Sequence, residues 1–179
     1  MIRLFVAIPL PETVRMQLSM LQAGLPGARW IRPENLHLTL RFIGEVPEDL
    51  ASDIDAALSG LRAPGFPVRL DGIGDFSRGR HPHSLWVGAV KAEPLMRLQG
   101  KIESALVRTG LRPEERKFMP HVTLARLKQV KRHRVEAWAA EHGAFQSTPF
   151  DADRFVLFSS FLSSDGAIYT PEREYRLDG

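Results

Sequence analysis

The chain of 179 residues is 44% hydrophobic and 25% charged, contains no cysteine and carries a formal net charge of +3. The lack of cysteine excludes disulfide frameworks and thiolate metal sites. No uninterrupted apolar run approaches the length of a membrane span, and residues 1–9 are too short for a signal peptide. We therefore expect a soluble, cytoplasmic protein with a single domain over residues 1–179.

Hydrophobic periodicity and turn residues divide the chain into strands and helices. The predicted strands cover residues 3–8, 29–32, 36–43, 66–73, 85–90, 121–126, 155–162 and 168–177. The predicted helices cover residues 11–22, 47–58, 93–109 and 131–142, and the predicted loops include residues 75–84 and 112–119. This mixed order, with several hairpin-like neighbours, predicts an α+β fold with antiparallel sheets.

One four-residue motif occurs twice, as His-Leu-Thr-Leu at 37–40 and as His-Val-Thr-Leu at 121–124. Each copy lies on a predicted strand, where successive side chains point to opposite faces. His37 and Thr39 therefore share one face, and His121 and Thr123 share the corresponding face of the second strand. Because the motif repeats at about half the chain length, we expect two similar, interleaved lobes facing each other across a cleft.

Two imidazoles in one cleft can supply both a general acid and a general base near neutral pH. For a phosphodiester, the base takes a proton from water and the acid gives one to the departing sugar oxygen. The hydroxyls of Thr39 and Thr123 can donate to the non-bridging oxygens, where negative charge builds up. This chemistry needs no metal and no other cofactor.

Arginine and lysine side chains near the motifs predict an anionic substrate. Arg41 follows the alternation of His37 and Thr39, so we expect it to bind substrate. Arg126 has the opposite parity from His121 and reaches a phosphate only if the strand bends or ends there. Residues 116–134 contain seven Lys and Arg and no acid, which would attract RNA or phosphate esters. The alternative is a solvated helix face that keeps the protein soluble.

Other interpretations of the histidines remain open at this point. A single histidine on a strand is more often a hydrogen-bonded structural residue than a catalyst. A metal site lacks a third ligand in either motif. His81 and His83 flank Pro82 in a predicted loop, where we expect them to be exposed. A nucleotide- or RNA-binding module, whose histidines only hold phosphate, belongs to a different functional class.

The paired His-x-Thr-x motifs resemble those of the 2H phosphoesterases, and more narrowly those of the RNA 2′,3′-cyclic phosphodiesterases, also called 2′-5′ RNA ligases. The resemblance extends over residues 3–8, 30–44, 85–88 and 118–126 and over the region of Tyr169. The family commonly has lysine where this chain has Arg41, which keeps the positive charge.

The resemblance implies a bilobal fold with two antiparallel sheets, a pseudo-two-fold axis and an active site in the central cleft. It also implies hydrolysis of RNA 2′,3′-cyclic phosphate ends to 2′-phosphomonoesters, with His37 as proton donor and His121 as proton acceptor. From the residues alone the two imidazoles are interchangeable. The family name further suggests reversible 2′-5′ ligation, and a 2′-5′ oligonucleotide phosphodiesterase is the alternative enzyme. The expected partner is RNA, with no protein partner and a monomeric state.

Overall fold

A computed structural model describes residues 1–178. Within them the chain forms ten strands and four α-helices, and a 3₁₀ turn (Pro33–Asn35) precedes the first motif. The strands are β1 (Ile2–Pro9), β2 (Ala28–Trp30), β3 (His37–Val46), β4 (Phe66–Val68), β5 (Leu70–Arg78), β6 (His81–Ala89), β7 (His121–Leu127), β8 (Phe150–Ala152), β9 (Arg154–Ser163) and β10 (Gly166–Arg176). The helices are α1 (Glu12–Ser19), α2 (Glu48–Ser59), α3 (Glu93–Arg108) and α4 (Arg132–His142).

Two four-stranded sheets carry the two motif strands. The first sheet has the order β10-β9-β1-β3, and the second has the order β2-β7-β6-β5, while β4 and β8 pair separately. Every pairing between these strands is antiparallel. Strands β3 and β7 contact each other, so the motif strands lie where the two sheets meet. The prediction of an α+β fold with antiparallel sheets is confirmed.

The apolar positions of both motifs are anchored in one core. Leu38 and Leu124 are fully buried and belong to the same cluster of buried residues. Helix α3 supplies part of that core, because its buried residues, among them Leu95 and Ile102, recur at helical spacing. Burying each such side chain contributes roughly 1.5–3 kcal/mol, so the core fixes the strands that carry the histidines. No helix within residues 1–178 is long and apolar enough to cross a membrane.

The predicted loop at 75–84 is wrong, because this segment forms a hairpin. Strand β5 continues to Arg78 and β6 begins at His81, with Gly79 in the turn at φ 60°. The residues are polar and lack apolar alternation, so the strand signal is absent locally, and pairing of β5 with β6 supplies the order. His81 and His83 are exposed as predicted, but they lie on β6. The predicted loop at 112–119 is confirmed.

Candidate active site

Each motif places its histidine and threonine on the open face of its strand. His37 and Thr39 are half-buried on β3, and His121 and Thr123 are half-buried on β7, whereas the apolar residues between them are buried. This is the alternation expected from the sequence. Strands β3 and β7 contact each other, and the charges of Arg126 and His121 both lower the pKa of His37.

Both imidazoles are oriented by the same local hydrogen bond. Nδ1 of His37 lies 2.6 Å from the carbonyl oxygen of Asn35, and Nδ1 of His121 lies 2.6 Å from that of Met119. A carbonyl oxygen only accepts, so Nδ1 carries the proton and donates it. The proton that can be exchanged with a substrate is therefore at Nε2 of each ring.

Aromatic side chains from three strands surround His37. Phe5 of β1 stacks on the imidazole with ring centroids 4.9 Å apart, and Tyr169 of β10 presents its edge at 5.2 Å. Phe158 of β9 lies 6.2 Å away. Sequence reasoning did not single out Phe5 or Phe158, because their proximity to His37 depends on pairing between strands that are distant in the sequence.

The surroundings of His121 come from the β5–β6 hairpin. Phe76 presents its edge to the imidazole at 4.9 Å, and Trp86 lies 5.7 Å away. The indole lies over Gly74, where a Cβ would come within 2.3 Å of the Trp86 ring. Sequence reasoning missed Phe76 because it assigned the residue to a loop. The segment carries no local strand signal, and the position of Phe76 depends on the pairing of β5 with β6.

A β-bulge follows each histidine-threonine pair and decides which later side chain reaches the open face. In the pairing of β1 with β3, Ala7 lies opposite Thr39 and Val6 lies opposite Arg41, so Leu40 is skipped. In the pairing of β6 with β7, Leu124 is skipped in the same way. An extra residue on one strand reverses the alternation beyond it. Both copies therefore share the same backbone irregularity.

The expectation that Arg41 shares the face of His37 is wrong, because the bulge turns it to the buried face. Arg41 is 7% exposed, and its Nε lies 2.7 Å from Oε2 of Glu103 on α3. Its Nη2 donates to the carbonyl oxygen of Arg112 at 2.6 Å. A guanidinium held by these partners is structural, and the structure does not bring it to the histidines.

The second bulge brings Arg126 onto the face of His121 and Thr123. Arg126 lies opposite Ser84, two positions along β6 from Trp86, which lies opposite Thr123. The side chain is exposed. Its charge lowers the pKa of both His37 and His121. The bulge is the bend in the strand that Arg126 needs to reach the face of His121.

Burial sets the proton affinity of the two rings. Burial lowers the pKa of His37 to about 4, partly offset by the hydrogen bond to Asn35, with Arg126 and His121 lowering it further. Burial also lowers the pKa of the less buried His121, again partly offset by its hydrogen bond to Met119. Both rings are thus neutral near pH 7 without ligand. Among residues 1–178, no three His, Cys, Asp or Glu side chains are grouped to hold a metal ion.

Comparison with known proteins gives the family. The family described as LigT like Phosphoesterase matches residues 8–86 and again residues 87–169, with one motif in each match. The chain is 35% identical over 157 residues to the RNA 2′,3′-cyclic phosphodiesterase of Aeropyrum pernix, covering 87% of this chain and 89% of that protein. It is also 35% identical over 187 residues to the enzyme of the same name from Thermotoga maritima, covering 99% and 96%.

The fold agrees with the sequence relatives. The structure is similar to the crystal structure of Escherichia coli LigT in its apo form, with a TM-score of 0.82, 28% identity and coverage of 99% of this chain and 98% of that one. The same E. coli protein has been solved in complex with 3′-AMP. The family predicted from the paired motifs is confirmed, and the chain belongs to the LigT-like phosphoesterases.

Proposed function

We propose that this protein hydrolyses RNA 2′,3′-cyclic phosphate ends to 2′-phosphomonoesters by acid–base catalysis between His37 and His121. The observation that carries the proposal is the pair of imidazoles on contacting strands, each with Nδ1 hydrogen-bonded to a carbonyl and each with a pKa lowered by the Arg126 charge. The name of the relatives supports the substrate, and the 3′-AMP complex of E. coli LigT supports a nucleotide in the cleft.

In the proposed reaction, Nε2 of His121 takes a proton from water as the water oxygen forms a bond to phosphorus. The bond between phosphorus and the 3′ oxygen breaks, and Nε2 of His37 protonates that oxygen. The phosphate stays on the 2′ oxygen. Arg126 and the hydroxyls of Thr39 and Thr123 donate to the non-bridging oxygens, where charge increases in the transition state.

The environments of the two rings support this assignment of roles. The more strongly lowered pKa of His37 makes its imidazolium the stronger acid, while His121 is the stronger base. Burial opposes a charged His37, but a phosphodiester anion in the cleft favours the imidazolium. Substrate binding therefore helps to protonate the acid. Because one chain carries both rings, we also infer that the protein acts as a monomer, on cytoplasmic RNA.

The test uses an RNA oligonucleotide that ends in a 2′,3′-cyclic phosphate. In His37→Asn and His121→Asn the amide retains a donor near the Nδ1 position and removes Nε2. Each variant should lower kcat by about 10²–10⁴-fold, with the product identified as the 2′-phosphomonoester by ³¹P NMR. The matched control is His133→Asn, an exposed histidine on α4. Undiminished turnover in either active-site variant would refute the acid–base pair.

The proposed reaction uses protein side chains alone, so a chelator provides an independent test. Turnover by the wild-type protein should be unchanged after dialysis against EDTA. A chelator-sensitive rate that Mg²⁺ or Zn²⁺ restored would contradict the mechanism.

A further inference from the structure

A groove of about 680 Å³ lies beside the active site, between β3 and the loop that connects α3 to β7. Phe42 and Ile43 line it from the strand, and Leu111, Arg112 and Arg116 line it from the loop. Its volume is within the range of small-molecule sites. The groove therefore has room for a nucleotide.

Phe42 connects this groove to the active site. The bulge at Leu40 brings Phe42 onto the face of His37 and Thr39, in register with Phe5. The centroids of Phe42 and Phe5 are 6.0 Å apart, and Phe5 stacks on His37. Nevertheless, 59% of Phe42 is exposed. Phe42 is therefore an exposed aromatic ring separated from His37 only by Phe5, and a base can stack on it.

The loop wall of the groove is held by the ion pair of buried Arg41 with half-buried Glu103. Arg41 bonds Glu103 on α3 and also donates to the carbonyl oxygen of Arg112. The backbone N–H of Glu114 donates to the same Glu103 carboxylate at 3.3 Å. This loop contains no helix or strand, so these bonds fix its position relative to β3. Arg41 thus positions the wall of the groove.

The loop wall of the groove carries both basic and acidic side chains. Arg112 and Arg116 line the groove, and Lys117 follows. Glu114 also lines it, but its carboxylate accepts from the backbone N–H of Arg116 and lies 3.7 Å from the Arg116 guanidinium. Glu115 is the other acid of the wall. The wall is of mixed charge, so base stacking on Phe42 is expected to contribute more than phosphate contacts.

We propose that this groove binds the RNA nucleotide on the 5′ side of the terminal cyclic-phosphate nucleotide, with its base stacked on Phe42. The proposal rests on the proposed function, which puts the cyclic phosphate at the histidines. Phe42 is the next position after Thr39 on the open face, roughly 7 Å further along the strand. The RNA chain continues from the terminal nucleotide through its 5′ oxygen, and the groove lies along β3 beyond Thr39, where Phe42 lines it.

The experiment compares adenosine 2′,3′-cyclic phosphate with the trinucleotide ApApA ending in a 2′,3′-cyclic phosphate. The wild-type protein should prefer the trinucleotide in kcat/KM. Phe42→Ala and Phe42→Leu should each reduce that preference by about tenfold, the order expected for one base–aromatic stack, and Phe42→Tyr should retain it. Phe161→Ala is the matched control, because Phe161 is 68% exposed and lies on β9 one position from Ser160, on the other face from Tyr169 and Phe158.

Two results would overturn the groove assignment. An equal loss on both substrates would mean that Phe42 acts on the terminal base or on His37 through Phe5. An unchanged preference would mean that no base stacks there. Binding of ApApA with a terminal 2′-phosphate, measured by calorimetry, reports the groove without turnover. If the wild-type protein hydrolyses neither substrate, the proposed function fails, while weaker binding of this ligand to Phe42→Ala would still support the groove.

Discussion

The site has a first half around His37 on β3 and a second half around His121 on β7. The two halves use the same motif in different surroundings. Both histidines donate from Nδ1 to the carbonyl two residues earlier, at 2.6 Å, and both strands bulge at the leucine that ends the motif. His37, however, is enclosed by aromatic rings from the first sheet, whereas His121 is less buried. The motif thus determines the tautomer and the backbone, and its neighbours determine the proton affinity.

The residue five positions after each histidine also differs between the two halves. The bulges bring Phe42 to the open face in the first half and Arg126 in the second. An aromatic ring can stack on a base, and a guanidinium can donate to a phosphate. The first half is therefore suited to holding a nucleoside and the second to stabilising charge on phosphorus.

The largest effect that would break this comparison is expected from Arg126→Gln. In the proposed reaction Arg126 donates to the phosphate, so its replacement should lower kcat/KM by about 10²–10³-fold. Because the Arg126 charge lowers the pKa of both imidazoles, its removal should also raise both values, measured by NMR titration. Arg134→Gln on α4, an exposed arginine, is the control. Unshifted histidine titrations would separate Arg126 from the site.

Sequence reasoning found the family, the fold class and the histidine-threonine pairs because these depend on local patterns. Strand alternation is sufficient to put His37 and Thr39 on one face. The sequence put Arg41 on the wrong face and left undecided whether the strand bends to bring Arg126 to the site. Both have one cause, because a bulge depends on the pairing of two strands and leaves no local signal at Leu40 or Leu124. The same dependence on distant pairing hid Phe5 from the sequence.

A stability effect of intermediate size should follow the burial of His37. Its pKa falls from the ordinary 6.5 to about 4 in the folded protein, so the unfolded chain binds more protons between these values. The contribution of this ring to the free energy of unfolding should therefore be fully present above pH 6.5. It should decrease by about 3 kcal/mol as the pH falls to about 4.

Urea unfolding of the wild-type protein and of His37→Asn at pH 7 and pH 4.5 checks that contribution. Other groups, His121 among them, titrate in both proteins, so the difference between the two losses isolates His37. The variant should lose less stability on acidification. Equal losses would show that burial of this ring is not coupled to folding.

The smallest effect concerns the residues that pair with the motif threonines on the neighbouring strand. This residue is small in the first half and large in the second, and the residue on its other side shows the opposite order. Ala7 lies between Thr39 and Val156 in the first sheet, and Trp86 lies between Thr123 and Gly74 in the second. A Cβ on Gly74 would lie 2.3 Å from the indole, so Gly74→Ala should cost about 1–3 kcal/mol through overpacking.

The displaced indole should also lower kcat, since Trp86 contacts both Phe76 and His121. Gly100→Ala on α3 is the matched control, because its Cβ meets open space and alanine favours a helix. The double variant Gly74→Val with Trp86→Ala transfers the pair of the first half to the second. It relieves the overlap but exposes His121, so we expect stability to recover relative to Gly74→Ala while the pKa of His121 rises. Recovery of stability with an unshifted pKa would show that Trp86 fills space and does not tune the base.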